Sequence, residues 1–350
     1  MFRIHFESET NLTNILITGG AGFIGHHLTK YLLEKELNVV IYDCFSDYYS
    51  PILKWKNARD VEKLGAKIID GNILNRKMLS KTLQKEKIER VIHLAAQPGV
   101  RYSTLNPEMA LRINVEGTSN VLSSSRENNI SKIVITSSSS VFGNTIYMPI
   151  DENHPTNPVS FYGVSKLTTE GLVAICNHLY PEFDTTIIRP FTVVGSRQRP
   201  DMAINIFVSK VMNGEPITVF GNGKQTRDWT HVGNMVQAFY LALFKPKAKH
   251  QIFNIGAGTR ISVNKMLEMV AEVTNNEIEI AYAEFNKADV KDTFANISKA
   301  KKLLGYKPNK TLYEAVEDFA EYWENINFGK LLMSEELLER DLSSTQASGS

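Results

Sequence analysis

The sequence lacks the features that mark several large classes of protein. It has only two cysteines, Cys44 and Cys176, which are too few and too far apart to indicate a disulfide framework. The CxxC and HExxH spacings are also absent, which argues against a metal site. The 39 lysines and arginines nearly balance the 38 aspartates and glutamates, and the net charge of +1 provides no basic field for nucleic acid or an anionic membrane.

Long apolar runs are missing too, and none reaches the ~18–20 residues that a membrane-spanning helix needs. Residues Met1–Thr13 carry four ionisable side chains and lack the apolar segment of a signal peptide. What remains is an ordinary globular composition, with 43% hydrophobic and 22% charged residues. We therefore expect a cytoplasmic enzyme that binds neither nucleic acid nor membranes.

The first half of the chain alternates short runs rich in isoleucine and valine with helical patterns. Such alternation is typical of an α/β fold, with a doubly wound parallel sheet of the Rossmann type buried on both faces. Predicted strands are Asn14–Thr18, Asn38–Asp43, Ala66–Asp70, Arg90–Ala95, Lys132–Ser138 and Asp184–Pro190, and predicted helices include Ile24–Lys35, Arg76–Lys85 and Pro107–Asn128.

A glycine-rich turn follows the first predicted strand and opens a helix. Gly19, Gly22 and Gly25 have a spacing that allows a tight turn, close approach of a pyrophosphate and close packing of helix on strand. The helix N-terminus adds free N–H groups and the positive end of a dipole. The alternative is a turn without a ligand, but its place between strand and helix favours a dinucleotide site.

Asp43 ends the second predicted strand, about 20 residues beyond the turn. A carboxylate at this place accepts hydrogen bonds from the adenosine ribose and repels a 2′-phosphate, which favours NAD over NADP. Asp43 could instead serve only as a turn residue at the end of its strand.

The sequence pattern changes after residue 190, where the glycine and proline residues that indicate turns become more frequent. We expect an NAD-binding domain over residues 14–190, to which a strand at Gln251–Ile255 returns. Residues 191–327 are expected to form mainly a smaller C-terminal α/β substrate-binding lobe. The Ser-rich tail, residues 328–350, is expected to be partly disordered.

A tyrosine and a lysine stand one helical turn apart at Tyr162 and Lys166, so their side chains share a face. To act as a base near neutral pH, tyrosine must have its pKa lowered from ~10 to ~7, which a nearby ammonium and a positive nicotinamide ring favour. The pair alone also fits a solvated helix face. The serine run Ser137–Ser140 follows a strand at its carboxyl end, where doubly wound sheets bind ligands, although it could be a plain polar loop.

Taken in this order, the motifs resemble the extended short-chain dehydrogenase/reductase superfamily, in its branch of NAD-dependent nucleotide-sugar epimerases and dehydratases. The resemblance covers roughly Asn14 to Asn327. It implies that Tyr162 is the catalytic base, that Lys166 lowers its pKa and holds the nicotinamide ribose, and that Ser138 bonds a sugar hydroxyl. The NAD contacts that it implies are Gly19, Gly22, Phe23, Ile24, Gly25, Asp43, Asn72, Ile73, Leu94, Ala95, Ala96, Asn114, Tyr162 and Lys166.

The serine run also indicates the subfamily. Dehydratases and decarboxylases of this branch carry acidic residues where this chain has Ser139 and Ser140. Without an acid, elimination of water or assisted decarboxylation lacks its proton-transfer group. Oxidation at C4 followed by reduction, which is epimerisation, remains.

Two segments, 97–103 and 192–202, resemble UDP-glucuronate 4-epimerases. Galactose-type enzymes usually have asparagine where Thr192 stands, and they lack the run that contains Arg199. An additional arginine suits a sugar whose C5 carries a carboxylate, although Arg199 could instead pair with Asp201 or with the diphosphate. The substrate contacts implied by the resemblance are Arg101, Ser138, Ser139, Ser140, Thr192, Arg199, Arg227 and Asp289.

The chain departs from the family pattern in the diphosphate segment, where the usual Arg-x-x-Asp is Asn286-Lys287-Ala288-Asp289. Arg227 would then carry more of the phosphate charge. The family commonly dimerises through helices that correspond to Pro107–Asn128 and Phe161–Tyr180, so the resemblance also implies a homodimer.

The sequence thus predicts an NAD-dependent enzyme that interconverts UDP-glucuronate and UDP-galacturonate through a transient 4-keto sugar. Three alternatives remain open. They are a 4-epimerase for UDP-glucose or UDP-N-acetylglucosamine, a nucleotide-sugar decarboxylase or oxidoreductase, and a non-catalytic NAD-binding regulator. The intact Ser138, Tyr162 and Lys166 argue against the regulator, since a binding module has no use for a tuned tyrosine.

Overall fold

The structure is a computed structural model that describes residues 13–284 and 290–326. Its strands are β1 (Asn14–Thr18), β2 (Asn38–Asp43), β3 (Lys67–Asp70), β4 (Arg90–His93), β5 (Lys132–Thr136), β6 (Asp184–Pro190), β7 (Thr192–Val194), β8 (Ile217–Phe220), β9 (Thr226–Arg227), β10 (Trp229–His231), β11 (Gln251–Ile255), β12 (Ile261–Ser262) and β13 (Ile280–Ala283). Its α-helices are α1 (Phe23–Leu33), α2 (Pro51–Glu62), α3 (Arg76–Lys85), α4 (Val100–Leu105), α5 (Pro107–Leu111), α6 (Gly117–Glu127), α7 (Phe161–Leu179), α8 (Ala203–Met212), α9 (Val232–Phe244), α10 (Val263–Thr274), α11 (Ser298–Leu304) and α12 (Leu312–Asn325).

Seven parallel strands form the central sheet, in the order β11-β6-β5-β4-β1-β2-β3. The order reverses between β1 and β4, so the connections after these two strands diverge and leave a crevice at the carboxyl edge. The predicted α/β fold with a doubly wound parallel sheet is confirmed. Doubly wound sheets bind their ligands in this crevice.

Helices cover both faces of the sheet, which explains why its strands read as nearly continuous apolar runs. In β1, Ile15 and Ile17 pack on one face and Leu16 on the other, and all three are fully buried. The first face is covered by α1, α2, α9 and α11, and the second by α3, α6 and α7.

A third hydrophobic cluster lies away from the sheet. Side chains of α8, α10 and α12 enclose it together with β7, β8 and β10. Because β11 returns to the edge of the central sheet beside β6, residues after 190 contribute to both parts of the molecule. The domain limits expected from sequence stay a prediction.

Two features of the helices differ from the sequence expectation. The stretch expected to be one helix over Pro107–Asn128 contains α5, a π-helical turn at Arg112–Glu116, and α6. Helix α2 was not predicted, because its apolar residues do not mark one clear buried face and only Ala58 and Val61 among them are fully buried. Over the described residues, no helix is both long and apolar enough to cross a membrane.

Candidate active site

The glycine turn between β1 and α1 has the shape that a pyrophosphate requires. Gly19 has a φ of +74°, and a Cβ atom there would lie 2.7 Å from the backbone nitrogen of Ala95. A Cβ atom on Gly25 would lie 2.3 Å from the carbonyl oxygen of Gly19. Gly22 precedes α1 without a side-chain cap, so the N–H groups at Phe23 and Ile24 point out of the helix with no capping side chain. These residues fit the diphosphate of a dinucleotide.

Asp43, at the end of β2, lies beside this turn. Its Oδ2 accepts a hydrogen bond from the Ala21 N–H at 3.1 Å, and its Oδ1 accepts one from the Phe45 N–H at 2.9 Å. Burial raises the pKa of the Asp43 carboxyl, and both hydrogen bonds and the positive charge of Lys54 oppose that rise. Each carboxylate oxygen retains a lone pair, so the group can still accept hydrogen bonds from ribose hydroxyls.

An open cleft of about 690 Å³ continues from the end of β2, and Cys44 and Asn72 contribute to its lining. The Oδ1 of Asn72 accepts a hydrogen bond from the Leu74 N–H at 2.9 Å. Ile73 is buried and faces Gly117, where a Cβ atom would lie 2.4 Å from the end of the Ile73 side chain. Of the two predicted NAD contacts Asn72 and Ile73, Asn72 therefore lines this cleft, whereas Ile73 packs in the interior against Gly117.

The residues after β4 face the glycine turn. The N–H of Leu94 donates to the Thr18 carbonyl at 3.0 Å, and the N–H of Ala95 donates to the Thr18 hydroxyl at 3.3 Å, with Ala96 next along the chain. Asn114 lies in the π-helical turn, accepts a hydrogen bond from the Gln97 N–H at 2.7 Å and donates to the Ser165 hydroxyl at 2.9 Å. Asn114 thus connects the loop after β4 to α7.

Helix α7 carries the predicted catalytic pair. Ser160 caps the helix by accepting a hydrogen bond from the Gly163 N–H at 3.0 Å. The Lys166 ammonium lies 5.9 Å from the centre of the Tyr162 ring and donates to the Thr136 carbonyl at 2.9 Å. Both side chains therefore face the carboxyl end of β5.

The serine turn after β5 packs against the start of α7. Ser138 begins a 3₁₀ turn at Ser139–Val141, and its Oγ accepts a hydrogen bond from the Ser140 N–H at 3.1 Å. A Cβ atom on Gly163 would lie 2.6 Å from the Ser140 carbonyl, so glycine is needed for the helix to come this close. The structure brings Ser138, Tyr162 and Lys166 together.

The charges around Tyr162 act in opposite directions. Burial raises the pKa of the Tyr162 phenol, whereas the Ser138 side chain and the positive charge of Arg199 lower it. Burial also lowers the pKa of Lys166 to about 8, against the effect of the nearby Glu170 carboxylate. The expectation that Lys166 and a positive nicotinamide ring together lower the pKa of Tyr162 stays a prediction.

Arg199 forms a two-point ion pair with Asp201, which was one of the alternatives open from sequence. Its Nε lies 2.9 Å from Oδ1 and its Nη2 lies 3.1 Å from Oδ2. The Tyr48 hydroxyl donates to Oδ2 of the same carboxylate at 3.0 Å. The Tyr48 contact connects the loop after β2 to the loop after β7 that carries the pair. A substrate carboxylate would have to share Arg199 with Asp201 or replace it.

The other predicted substrate residues lie on several elements. The Arg101 guanidinium stacks over the Phe220 ring at 4.8 Å, and Thr192 begins β7. Arg227 donates to the carbonyls of Val290 at 2.6 Å and Lys291 at 2.8 Å. Asp289 lies outside the described residues. The roles of these residues toward a substrate stay predictions.

Comparison with known proteins agrees with this geometry. A family model described as GDP-mannose 4,6-dehydratase matches residues 16–319. The chain belongs to the GDP-mannose 4,6-dehydratase family. The UDP-glucuronate 4-epimerase of Thermodesulfobacterium geofontis is 34% identical over 304 residues, which are 86% of this chain and 93% of that protein.

Solved structures of nucleotide-sugar 4-epimerases are also closely similar to this chain. The crystal structure of UDP-glucuronic acid 4-epimerase from Bacillus cereus with UDP-glucuronic acid and NAD has a TM-score of 0.85 and 33% identity, and the match covers 90% of this chain and 100% of that one. The UDP-glucose 4-epimerase from Thermotoga maritima with UDP-glucose has a TM-score of 0.83 and 30% identity, with 89% and 99% covered. The resemblance found in the sequence is thereby confirmed.

Two side chains that lie near the site, Tyr48 and Glu170, were not predicted from the sequence. Tyr48 reaches Asp201, which is 153 residues further along the chain, and no local pattern predicts that contact. The sequence does contain a signal for Glu170. This residue follows Lys166 by four residues and so continues the face of α7 that carries Tyr162.

Proposed function

We propose that the protein is an NAD-dependent UDP-glucuronate 4-epimerase that interconverts UDP-glucuronate and UDP-galacturonate through a transient 4-keto sugar. The observation that carries the proposal is the convergence of Ser138 and Tyr162 with Arg199, whose charge lowers the pKa of the Tyr162 phenol. A proton acceptor for the C4 hydroxyl and a cation suited to the C6 carboxylate thus lie in one site.

In this proposal, one group of residues binds NAD and another moves the proton of the C4 hydroxyl. When bound, NAD would be the reversible hydride acceptor for C4 of the sugar. Gly19, Gly22 and Gly25 hold its diphosphate, and Asp43 bonds its adenosine ribose. In the catalytic group, Tyr162 takes the proton from the C4 hydroxyl while Ser138 orients that hydroxyl, and Lys166 holds the nicotinamide ribose.

Epimerisation is favoured over dehydration within this family because Ser139 and Ser140 occupy the 3₁₀ turn beside the catalytic tyrosine. A serine hydroxyl does not transfer protons at neutral pH as a carboxylate does. A 4-keto sugar with a C5 carboxylate is a β-keto acid that loses carbon dioxide readily. We assign Thr192 and Arg199 the task of holding the carboxylate so that its C–C bond stays near the carbonyl plane.

A 4-epimerase for a neutral UDP-sugar is the second candidate. The two-point pair between Arg199 and Asp201 favours it, because an arginine already matched by a carboxylate needs none from the substrate. Incubation with UDP-glucuronate, UDP-glucose and UDP-N-acetylglucosamine, with products identified by NMR, separates the two candidates. Conversion of UDP-glucuronate to UDP-galacturonate supports the proposal, and exclusive turnover of a neutral sugar contradicts it.

The position of Asp43 predicts the cofactor preference. Purified protein is expected to bind NAD in strong preference to NADP, because the carboxylate repels a 2′-phosphate. Asp43→Ala is expected to reduce the ratio of NAD affinity to NADP affinity, which is measured by titration with each cofactor. Asp47→Ala serves as the control, since Asp47 lies on the same cleft but outside β2. Equal affinity of the unmodified protein for both cofactors would contradict the assignment.

We also propose that the protein is a homodimer through α4, α5 and α7. Large apolar side chains on these helices are exposed, and on α7 they follow one stripe. The family resemblance implies a second copy of the chain as the partner, through helices over 107–128 and 161–180, which include α5 and α7. We add α4 because the neighbouring Leu105 is exposed. The exposed side chains are Leu105, Met109, Leu111, Phe161, Val164, Ile175 and Leu179.

The double variant Ile175→Glu/Leu179→Glu is expected to be a monomer by sedimentation at micromolar concentration, whereas the unmodified protein is expected to be a dimer. Charged side chains in a buried apolar interface carry a large desolvation penalty. Leu64→Glu is the matched control, because Leu64 is 55% exposed, Ile175 is 58% exposed, and Leu64 lies outside these helices. A monomeric unmodified protein would overturn the proposal.

A further inference from the structure

A buried ion pair lies behind the catalytic residues. Arg189, near the end of β6, and Glu170, on α7, are only 4% and 7% exposed. The Arg189 Nε lies 2.8 Å from Oε1 and its Nη2 lies 2.6 Å from Oε2, so the contact is a two-point one. The Arg189 guanidinium also lies 4.9 Å from the Phe142 ring centre.

Glu170 connects this pair to the serine turn. The hydroxyl of Ser137, which directly precedes Ser138, donates to Oε1 of Glu170. The Ser137 N–H donates to the Ile188 carbonyl at 2.7 Å, next to Arg189 on β6. One carboxylate therefore joins the serine turn, α7 and β6, and the chain that leaves β6 leads directly to Thr192.

Glu170 is also one turn along α7 from Lys166. Among the described residues, its carboxylate is the negative charge that opposes the fall of the Lys166 pKa on burial. The other groups that face Lys166 are Tyr162 on the same helix, the Thr136 carbonyl on β5 and His93 on β4. Burial lowers the pKa of His93 to about 3, so this neighbour is neutral at physiological pH.

An ion pair buried to this degree is poorly explained by stability alone. Desolvation of two charges offsets most of their attraction, and apolar pairs of similar size often stabilise a fold as well or better. The position of the pair gives it a different use, because Glu170 lies on α7 with Tyr162 and Lys166 and accepts a hydrogen bond from Ser137, the neighbour of Ser138. Arg189 holds this carboxylate and also donates to the Glu152 carbonyl at 3.3 Å.

We propose that Glu170, with Arg189 as its counter-ion, is a positioning residue that keeps Lys166 in its ammonium form and fixes the serine turn against α7. The inference rests on the epimerase activity proposed above, but not on which sugar is turned over. Glu170 acts through Lys166 and Ser138 and need not touch the substrate.

The experiment uses Glu170→Gln/Arg189→Met, which removes both charges and so leaves no unpaired charge in the interior. The titration of Lys166 is followed by the NMR signal of its Cε in protein with ¹³C-labelled lysine, and the signal is assigned by its loss in Lys166→Arg. This readout does not require turnover, so it remains informative if the proposed activity is wrong. Melting temperature and bound NAD are measured in parallel.

In the double variant, the Lys166 titration is expected to move to lower pH by ~1 unit, since the Glu170 anion one helical turn away is gone and Arg189 is not among the charges that shift the pKa of Lys166. Lys166 loses its proton as pH rises, so the decline of the sugar interconversion rate at high pH is expected to begin at lower pH. At pH 7.5 we expect a rate at least ~10-fold lower, because less Lys166 is protonated and the serine turn is no longer fixed.

Lys132→Met/Asp184→Asn is the matched control. It removes another ion pair with a buried lysine, at the amino ends of β5 and β6 and far from the site. This control is expected to change the melting temperature but neither the Lys166 titration nor the pH profile.

Glu170→Asp retains the charge on a shorter side chain and tests the proposal should the double variant fail to fold. In this variant, Lys166 is expected to titrate at an unchanged pH. The rate of sugar interconversion is expected to fall only because the shorter side chain holds the serine turn less well. The proposal is overturned if the Lys166 titration stays unchanged when the charge of Glu170 is removed, or if it moves equally in Glu170→Asp.

Discussion

Tyr162→Phe is expected to lower the rate of sugar interconversion by at least ~10²-fold, the usual scale for loss of a general acid–base group. The substitution removes one oxygen atom and keeps the aromatic ring, so the packing of α7 against the serine turn should persist. The Tyr162 N–H also donates to the Ser103 hydroxyl at 3.1 Å, and phenylalanine retains that bond. Melting temperature and NAD content are therefore expected to match those of the unmodified protein.

Tyr102→Phe is the control for this prediction. Tyr102 lies on α4, where its ring contacts that of Tyr48 at 4.9 Å, and it lines the cleft near Cys44 rather than the serine turn. Loss of its hydroxyl is expected to leave the rate within a few fold of the original. If the Tyr162→Phe variant retains near-normal turnover, another group removes the C4 proton and the assignment is wrong.

The parts of the site that could be predicted from sequence are those set by local geometry. The turn itself requires glycine at Gly19, whose φ is +74°, and at Gly25, where a Cβ atom would lie 2.3 Å from the Gly19 carbonyl oxygen. Tyr162 and Lys166 share a face because they are one helical turn apart. The strands of the sheet could be predicted from their apolar runs, because a strand buried on both faces is apolar along its own length.

The parts that could not be predicted depend on which loops meet in the folded protein. The sequence leaves open whether Arg199 meets a substrate carboxylate, the diphosphate or Asp201, and only the fold shows the pair with Asp201 that Tyr48 also contacts. Whether Arg227 faces a phosphate is likewise decided by the loop that it contacts, whose carbonyls at Val290 and Lys291 accept its hydrogen bonds. Spacing along the chain carries no information about such partners.

The largest remaining expectation concerns Arg199. Arg199→Met is expected to lower activity on UDP-glucuronate by ~30-fold or more, the effect of removing one charged partner from a desolvated pair. Methionine keeps much of the apolar stem of arginine but cannot make two hydrogen bonds to a carboxylate. Activity on neutral UDP-sugars is expected to fall much less, and only through the lost charge that lowers the Tyr162 pKa.

Arg197→Met provides a control of the same type, two residues earlier. The Arg197 guanidinium pairs with Asp60 at 2.8 Å and donates to Asn57 at 2.6 Å, so it joins the loop to α2 instead of facing the catalytic tyrosine. Its loss is expected to affect all UDP-sugars alike. The two variants are compared by the ratio of kcat/KM for UDP-glucuronate to that for UDP-glucose.

Release of carbon dioxide gives a second measure of Arg199. When the C6 carboxylate of the 4-keto sugar is held less firmly, its C–C bond can rotate out of the carbonyl plane, where cleavage is favoured. Arg199→Met is therefore expected to release more carbon dioxide per turnover than the unmodified enzyme, while Arg197→Met is expected to release no more. If Arg199→Met weakens every UDP-sugar equally and leaves carbon dioxide release unchanged, Arg199 serves the diphosphate or its pair with Asp201, and the sugar specificity must be sought elsewhere in the site.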